Sequence, residues 1–320
     1  MKRALVVLLA LTLGLTACGG QRTETSPGSG GRLTIATGNT TGVYYILGGG
    51  IAKLISSGLP GYRATAEATK ASKENIERVV AGQNDIAFSL ADTASDAVTG
   101  THSFTAEHPV KALMRIYDNT THVIVRTDSG VRSIAGMRGK SISTGSPNSG
   151  TELIATRLLE ANGMSPADVQ QKKASLPETV EGMKDGSIQG MFWSGGLPTA
   201  GVKDLLASLG GRVRFLPLTR ELPLLRQKYG DAYLPATIPP AAYGTPAVAT
   251  IAVPNYLMVR DDMGDDLAGE LARLIFDRKA ELEKIHPEAK NITLAKALKT
   301  GAVPVHPGAE KVLRELGATP

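Results

Sequence analysis

Cysteine is almost missing from the 320 residues: Cys18 stands alone, so no disulfide can close within the chain and no cysteine cluster can hold a metal. Aromatic residues make up only 4%, with Trp193 the single tryptophan. No basic run with interleaved aromatics occurs, which argues against a nucleic-acid partner. Neither sign of charge dominates, since 35 Lys and Arg face 30 Asp and Glu for a net +5. None of the five histidines falls at the i, i+4 spacing of a helical zinc site. Nucleophile-elbow, phosphate-loop and dinucleotide fingerprints are also missing. These absences leave no cofactor, no metal and no enzymatic reaction to expect. After the first apolar run, none is long enough to cross a bilayer as a helix.

That first run carries information. Lys2 and Arg3 precede an apolar stretch over 4–13, which is about half the ~20 residues a spanning helix needs. Leu15-Thr16-Ala17-Cys18 follows. The pattern reads as an export signal over 1–17. Its end resembles the lipobox of bacterial lipoproteins, in which the cysteine is lipidated, so Cys18 is the expected anchor to a membrane surface. An ordinary secretory signal with an incidental cysteine is the alternative. Residues 18–31, rich in Gly, Ser and Thr, are expected to form a flexible tether. The expected location is extracytoplasmic, at the cell membrane.

From residue 32 onward, short β-branched runs alternate with helical patterns, the signature of an α/β fold with a mostly parallel sheet. Strands are expected over 32–37, 62–68, 85–90, 110–117, 122–126, 140–144, 188–193 and 213–217. Helices are expected over 43–55, 72–80, 151–162 and 267–285. Asp118-Asn119-Thr120-Thr121 reads as a polar break between two strands, and 247–254 as a second crossing behind the Pro-rich segment 234–246. This gives a discontinuous first domain, 32–118 with 251–320, and a continuous second one, 119–250. Two crossings make a hinge, and a hinge makes a cleft.

Two similar loops stand out. Thr37-Gly38-Asn39-Thr40-Thr41-Gly42 leads into Val43-Tyr44-Tyr45, and Thr144-Gly145-Ser146-Pro147-Asn148-Ser149-Gly150-Thr151 leads into the next such helix. Each leaves a strand, passes through Gly, Ser and Thr, and enters a helix whose first N–H groups lack partners. Such an end suits a carboxylate or phosphate. Ser149 with Glu152 also has capping-box spacing, so part of the second loop can be holding its own helix. A third loop, 69–75, offers Ser72 as an N-cap and Asn75 one turn inside the helix. Asp92, just past a strand, can accept an amino group or cap a helix. Trp193 beside Gly195 and Gly196 can wall a pocket, or simply be core.

Taken together, these segments resemble the TAXI family of solute receptors, which serve tripartite ATP-independent periplasmic (TRAP) transporters. The likeness rests on Thr41-Gly42-Val43-Tyr44-Tyr45 with Gly48-Gly49-Gly50, and on Ala71-Ser72-Lys73-Glu74-Asn75. It continues through Gly82-Gln83-Asn84-Asp85-Ile86-Ala87-Phe88, Gly136-Met137-Arg138-Gly139-Lys140, Gly145 to Glu152, and Phe192-Trp193-Ser194-Gly195-Gly196-Leu197-Pro198. The resemblance implies a two-domain periplasmic-binding-protein type II fold with a hinged cleft. It further implies a small solute, such as glutamate or a dicarboxylate, and fused TRAP membrane subunits as partners. By motif position it carries over Tyr45, Ser72, Asn75, Asp92, Ser146, Gly150, Thr151 and Trp193 as cleft residues, beside Thr41, Gly42, Tyr44 and Ser149 from the loops. Ser89-Leu90-Ala91 departs from the family's usual third-strand loop, which leaves the ligand open. The receptor of an ATP-driven importer or sensor, or an anchored hydrolase or transferase, are the other readings.

Overall fold

The computed structural model describes residues 30–320; the export signal, Cys18 and most of the tether lie outside the described residues. Ten strands are present: β1 (Arg32–Ala36), β2 (Arg63–Glu67), β3 (Ile86–Leu90), β4 (Val110–Arg126), β5 (Ser141–Ser143), β6 (Gln170–Lys172), β7 (Gly190–Gly195), β8 (Val213–Phe215), β9 (Leu234–Ile238) and β10 (Val248–Arg260). The sheet order is β2-β1-β3-β10-β4-β7-β5-β6, with β8 added to β4 and β9 to β10. The strands β2, β1 and β3 run parallel, as do β7, β5 and β6. Between these two parallel sets stand β10 and β4, antiparallel to each other and to their outer neighbours. The α/β class read from the sequence is the class observed, but the sheet expected to be mostly parallel is mixed, with four parallel and five antiparallel pairings among the described residues. All five residues of β3 are buried, as its apolar run demands of a strand covered on both faces. At the sheet edge, β2 leaves Arg63 exposed.

The two middle strands are long and shared. Val110 to Arg115 and Asp118 to Thr120 of β4 pair with β10, while Thr120 to Val125 pair with β7. In β10, Val248 to Ala252 pair with β9 and Asn255 to Val259 with β3. Register shifts between Pro254 and Tyr256, where proline has no N–H for the ladder. Asn255 fills the irregularity: its Nδ2 donates to the Tyr117 carbonyl at 3.1 Å and to Asn119 Oδ1 at 3.0 Å, and its Oδ1 accepts from the Tyr44 hydroxyl.

The expected break at 118–121 is therefore corrected, because β4 runs through it. Asn119, Thr120 and Thr121 are buried mid-sheet, where cross-strand partners satisfy them; Thr250 Oγ1, for instance, donates to the Thr121 carbonyl at 2.6 Å. Polar residues do not end a strand when the neighbouring strands supply the missing bonds. The ten strands form one hydrogen-bonded sheet, and the division at 118 and 250 is taken up below as part of a proposal. Two strands escaped the sequence reading, the three-residue β6 and the edge strand β9, in which Pro235 is tolerated. The helix expected over 267–285 is two helices, Asp265–Asp277 and Lys279–Ile285, parted at Arg278 with φ −112° and ψ 19°. Leu271, Leu274 and Ile275 of the first piece and Leu282 of the second are buried, whereas Ile285, the last residue of the second, is 41% exposed. Among the described residues no helix is long and apolar enough to cross a membrane.

Apolar packing falls into three clusters. One lies between the helices Val43–Gly58 and Asp265–Asp277 and the first parallel set, and one between the helices Leu176–Asp185 and Ala200–Leu209 and β7. The third reaches from Ala36 and Leu90 across to Val125 and Leu158.

Candidate functional site

The carboxyl ends of β1, β2 and β5 each pass through a short loop into a helix: Val43–Gly58, Ser72–Val80 and Gly150–Ala161. All three helix starts line one cleft. The first N–H groups of a helix have no intrahelical acceptor and carry a partial positive charge. Gly42 and Ala71, at the first two N-caps, bring no side-chain cap. At the third, Ser149 Oγ accepts from Glu152 N at 3.0 Å, the capping bond read from the spacing. The turn ahead of it needs Gly145, whose φ is +91°.

About 450 Å³ lies within this cleft, mouth included, but a water-sized sphere can centre in only about 30 Å³ of it, so the walls are nearly shut. The loops touch across it. The N–H groups of Lys73 and Glu74 both donate to the Asn148 carbonyl, at 3.1 and 3.2 Å. Asn39 Nδ2 donates to Ser146 Oγ at 3.4 Å, and its Oδ1 accepts from Leu176 N at 2.7 Å. A methyl group at Gly150 would lie 2.4 Å from Leu90 Cδ1 and 2.7 Å from Ser72 Oγ, so only glycine permits this approach. Ala71 (φ +79°) and Asn148 (φ +61°) sit at the two lips in left-handed backbone, a strain that clusters at binding sites.

Of the residues expected from the sequence, Gly42, Tyr44, Ser72, Ser146, Ser149, Gly150, Thr151 and Trp193 line the cleft. Thr151 Oγ1 accepts from Ser194 N at 3.2 Å, and Ser72 Oγ accepts from Leu90 N at 3.1 Å, so both also brace neighbouring strand ends. The Trp193 ring stands 3.5 Å from where a Gly42 side chain would begin and walls one side.

Trp193 is held from behind by a buried chain of bonds. Its Nε1 donates to Thr199 Oγ1 at 3.1 Å, and that hydroxyl donates to the Gly196 carbonyl at 2.7 Å. Thr199 N donates to the Tyr243 hydroxyl at 3.0 Å. His122 Nδ1 lies 2.9 Å from the Thr120 carbonyl, and its Nε2 lies 2.9 Å from the Tyr243 oxygen. A carbonyl only accepts, so Nδ1 carries the proton and Nε2 accepts from Tyr243. Burial lowers the His122 pKa to about 4, which keeps the ring neutral.

Four expectations are corrected. Asn75 is fully buried: its Nδ2 donates to the carbonyls of Thr37 (2.7 Å), Phe88 (2.8 Å) and Ala36 (3.3 Å), and its Oδ1 accepts from Thr69 Oγ1 (2.6 Å). It ties β1 to β3, with nothing left to offer a ligand. Asp92 is buried away from the cleft, accepting from Thr93 N (2.7 Å) and from the Tyr233 hydroxyl (2.9 Å), 3.6 Å from the Arg157 guanidinium. Burial raises its pKa, and Arg157 opposes that rise. Tyr45 points outward, 37% exposed, because one helical step from Tyr44 turns it off the cleft face. Thr41 lines a neighbouring groove beside Gly201 instead.

The sequence reading missed Lys70, Tyr117, Asn119 and Ser194, all lining the cleft. Lys70 carried a signal, as a cation in the third loop; Tyr117 and Asn119 carried none, since they sit inside a strand. The hydroxyls of Tyr117 and Ser194 are buried without a protein partner. Burial pushes the Tyr117 pKa well above its usual value, with Tyr44 and Glu288 adding to the rise, so it remains a neutral donor. Lys70, exposed at the mouth, is the one charged residue of the lining; no Asp, Glu or His stands there. Among the described residues no group of His, Cys, Asp and Glu is placed to hold a metal.

The family model described as NMT1-like family matches residues 35–317. Among solved structures the chain is similar to PhnD1 from Prochlorococcus marinus (MIT 9301) in complex with methylphosphonate, at 10% identity and a TM-score of 0.56, covering 90% of this chain and 99% of that one. It is also similar to a binding protein component of an ABC phosphonate transporter from Pseudomonas aeruginosa, at 12% identity and a TM-score of 0.54, covering 82% and 79%. The alkanesulfonate-binding protein SsuA from Xanthomonas axonopodis pv. citri, bound to MOPS, matches at 13% identity and a TM-score of 0.48, covering 88% and 83%. The first two likenesses establish the fold, the two-domain α/β architecture of periplasmic binding proteins.

Proposed function

The chain belongs to the NMT1-like family, and from that premise we propose that it is an extracytoplasmic receptor that closes its cleft on a small anionic solute and hands it to a membrane importer. One observation carries the anionic reading: the cleft gathers three helix N-termini and Lys70 and contains no carboxylate. Oriented N–H groups and a cation favour an oxyanion, whether carboxylate, phosphonate or sulfonate. The ligand contacts belong to Gly42, Tyr44, Ser72, Lys70, Ser146, Ser149, Gly150, Thr151 and the Trp193 wall. In this reading segments 32–118 and 251–320 form one body and 119–250 the other. A solute that touches both favours the closed state by its differential affinity.

The membrane partner has two readings. The Pseudomonas neighbour is a component of an ABC transporter, which favours an ATP-driven importer. The TRAP reading, with glutamate or a dicarboxylate as solute, rests on the loop motifs quoted above. A hydrolase or transferase finds no support, since no histidine or carboxylate lines the cleft to act as a base. Anchoring through Cys18 completes the proposal.

Thermal shift of the purified full chain against carboxylates, phosphonates and sulfonates tests the receptor reading. An anion at 100 times its Kd should add about 2.7 kcal/mol of stability. Stabilisation by neutral or cationic solutes alone would refute the anionic site. Uptake into vesicles, driven by ATP or by an ion gradient, separates the two partners.

A further inference from the structure

The solute has a second end, and the cleft specifies it. Tyr117 and Ser194 line the cavity, and each carries a buried hydroxyl with no protein partner. Buried polar groups in native proteins find partners, so these two are open to a polar atom of whatever occupies the cleft. Asn119, between them, is already engaged: its Oδ1 accepts from Asn255 and its Nδ2 donates to the Ser194 carbonyl at 3.4 Å. Carboxylates around the cleft are also engaged, Glu74 among them, which accepts from Lys70 N at 3.2 Å. Asp92 faces Arg157 and Tyr233, while Glu288 accepts from Leu197 N and from Asn291 Nδ2. Hydroxyl oxygens can accept from an amine. A full positive charge there, however, would face Lys70 and the helix ends, and Glu288, the carboxylate that bears on the Tyr117 hydroxyl, already accepts from Leu197 N and Asn291 Nδ2.

Resting on the anionic reading above, we infer that the solute is an amine-free anion bearing an uncharged oxygen, a hydroxyl or carbonyl, that takes a hydrogen bond from Tyr117 and meets Ser194. The acid head lies toward Lys70 and the helix starts, and the uncharged oxygen toward β4 and β7. α-Amino acids are selected against, although their head group alone would fit.

Matched pairs that differ only in amine against hydroxyl test this on the full chain, with the fluorescence of the single tryptophan, Trp193, as the reporter. Suitable pairs are 2-hydroxyglutarate with L-glutamate, L-lactate with L-alanine, and 2-hydroxyethylphosphonate with 2-aminoethylphosphonate. For every pair that binds, the hydroxyl member should be at least about tenfold tighter, the cost of leaving a buried charged group unmet. Tyr117→Phe should remove most of the preference for 2-hydroxyglutarate over plain glutarate. An amine member that binds as tightly as its twin overturns the inference and leaves the anionic reading standing. If no anion binds while a neutral or cationic solute does, both fall.

Discussion

Acid should unfold this protein partly through one histidine. His122 is fully buried and neutral, with its pKa lowered from 6.5 to about 4 by the loss of water around it. In the unfolded chain the ring takes up a proton as pH falls through 6.5, whereas the folded chain resists until about 4. The unfolded state thus binds more protons across that window. Stability from this group is complete above 6.5 and drains away as pH falls to 4. At 1.36 kcal/mol per pKa unit the loss comes to about 3 kcal/mol. His122→Gln has no such titration. Urea unfolding of both proteins at pH 7.5, 6, 5 and 4 isolates the effect, because every other titrating group is common to the pair. The wild type should lose about 3 kcal/mol more than the variant between the first and last pH. Parallel stability curves would refute the argument. In the folded protein the ring takes its proton only near pH 4, where Nε2 would turn from acceptor to donor toward Tyr243, so the response of Trp193 fluorescence to ligand should change only there.

Four further outcomes are expected. Gly150→Ala places a methyl group against Leu90 and Ser72 and should block closure: small-angle scattering would show no contraction on adding an anion that contracts the wild type. Asn75→Ala strips the carbonyls of Ala36, Thr37 and Phe88 of their donor and should cost about 2–4 kcal/mol in urea unfolding; lost affinity at unchanged stability would return Asn75 to the ligand. Arg157→Leu leaves Asp92 and Asp96 buried without their cation and should destabilise by about 3–5 kcal/mol by the same assay. Lys70→Gln should weaken anion binding and flatten its dependence on salt; an unchanged salt slope would remove Lys70 from the site.

Much of the cleft was legible because a strand that passes through a Gly, Ser and Thr loop into a helix has a local signature. Gly42, Ser146, Ser149, Gly150 and Thr151 announce themselves by standing between a β-branched run and a helical one, and the structure brings them together. What escaped depends on distant partners. Asn75 sits one turn into a helix whose start faces the cleft, and nothing local says that three carbonyls from β1, β3 and the loop after β1 claim its amide. Asp92 looks available until Arg157 and Tyr233, 65 and 141 residues away, close on it. Asn119 lies in a stretch whose polarity suggested a break, with Tyr117 at the end of the strand before it, whereas cross-strand bonds from β10 make that stretch the middle of the sheet. Four helical stretches were legible by period, but Ala91–Thr99, Leu176–Asp185, Ala200–Leu209, Glu221–Tyr229 and Pro307–Glu315 were not read, and strands were less legible where they are three residues long or shared.

The pairing of β4 with β10 has a consequence for signalling. Two adjacent antiparallel strands, cross-linked by their own hydrogen bonds, resist sliding and separation far more than they resist twist. The register shifts twice along this pairing, between Pro254 and Tyr256 and between Leu257 and Met258, and each irregularity interrupts the ladder and adds local twist. In the receptor proposed above, a joint of that kind would give a docking importer two outlines, empty and loaded, told apart without touching the cargo.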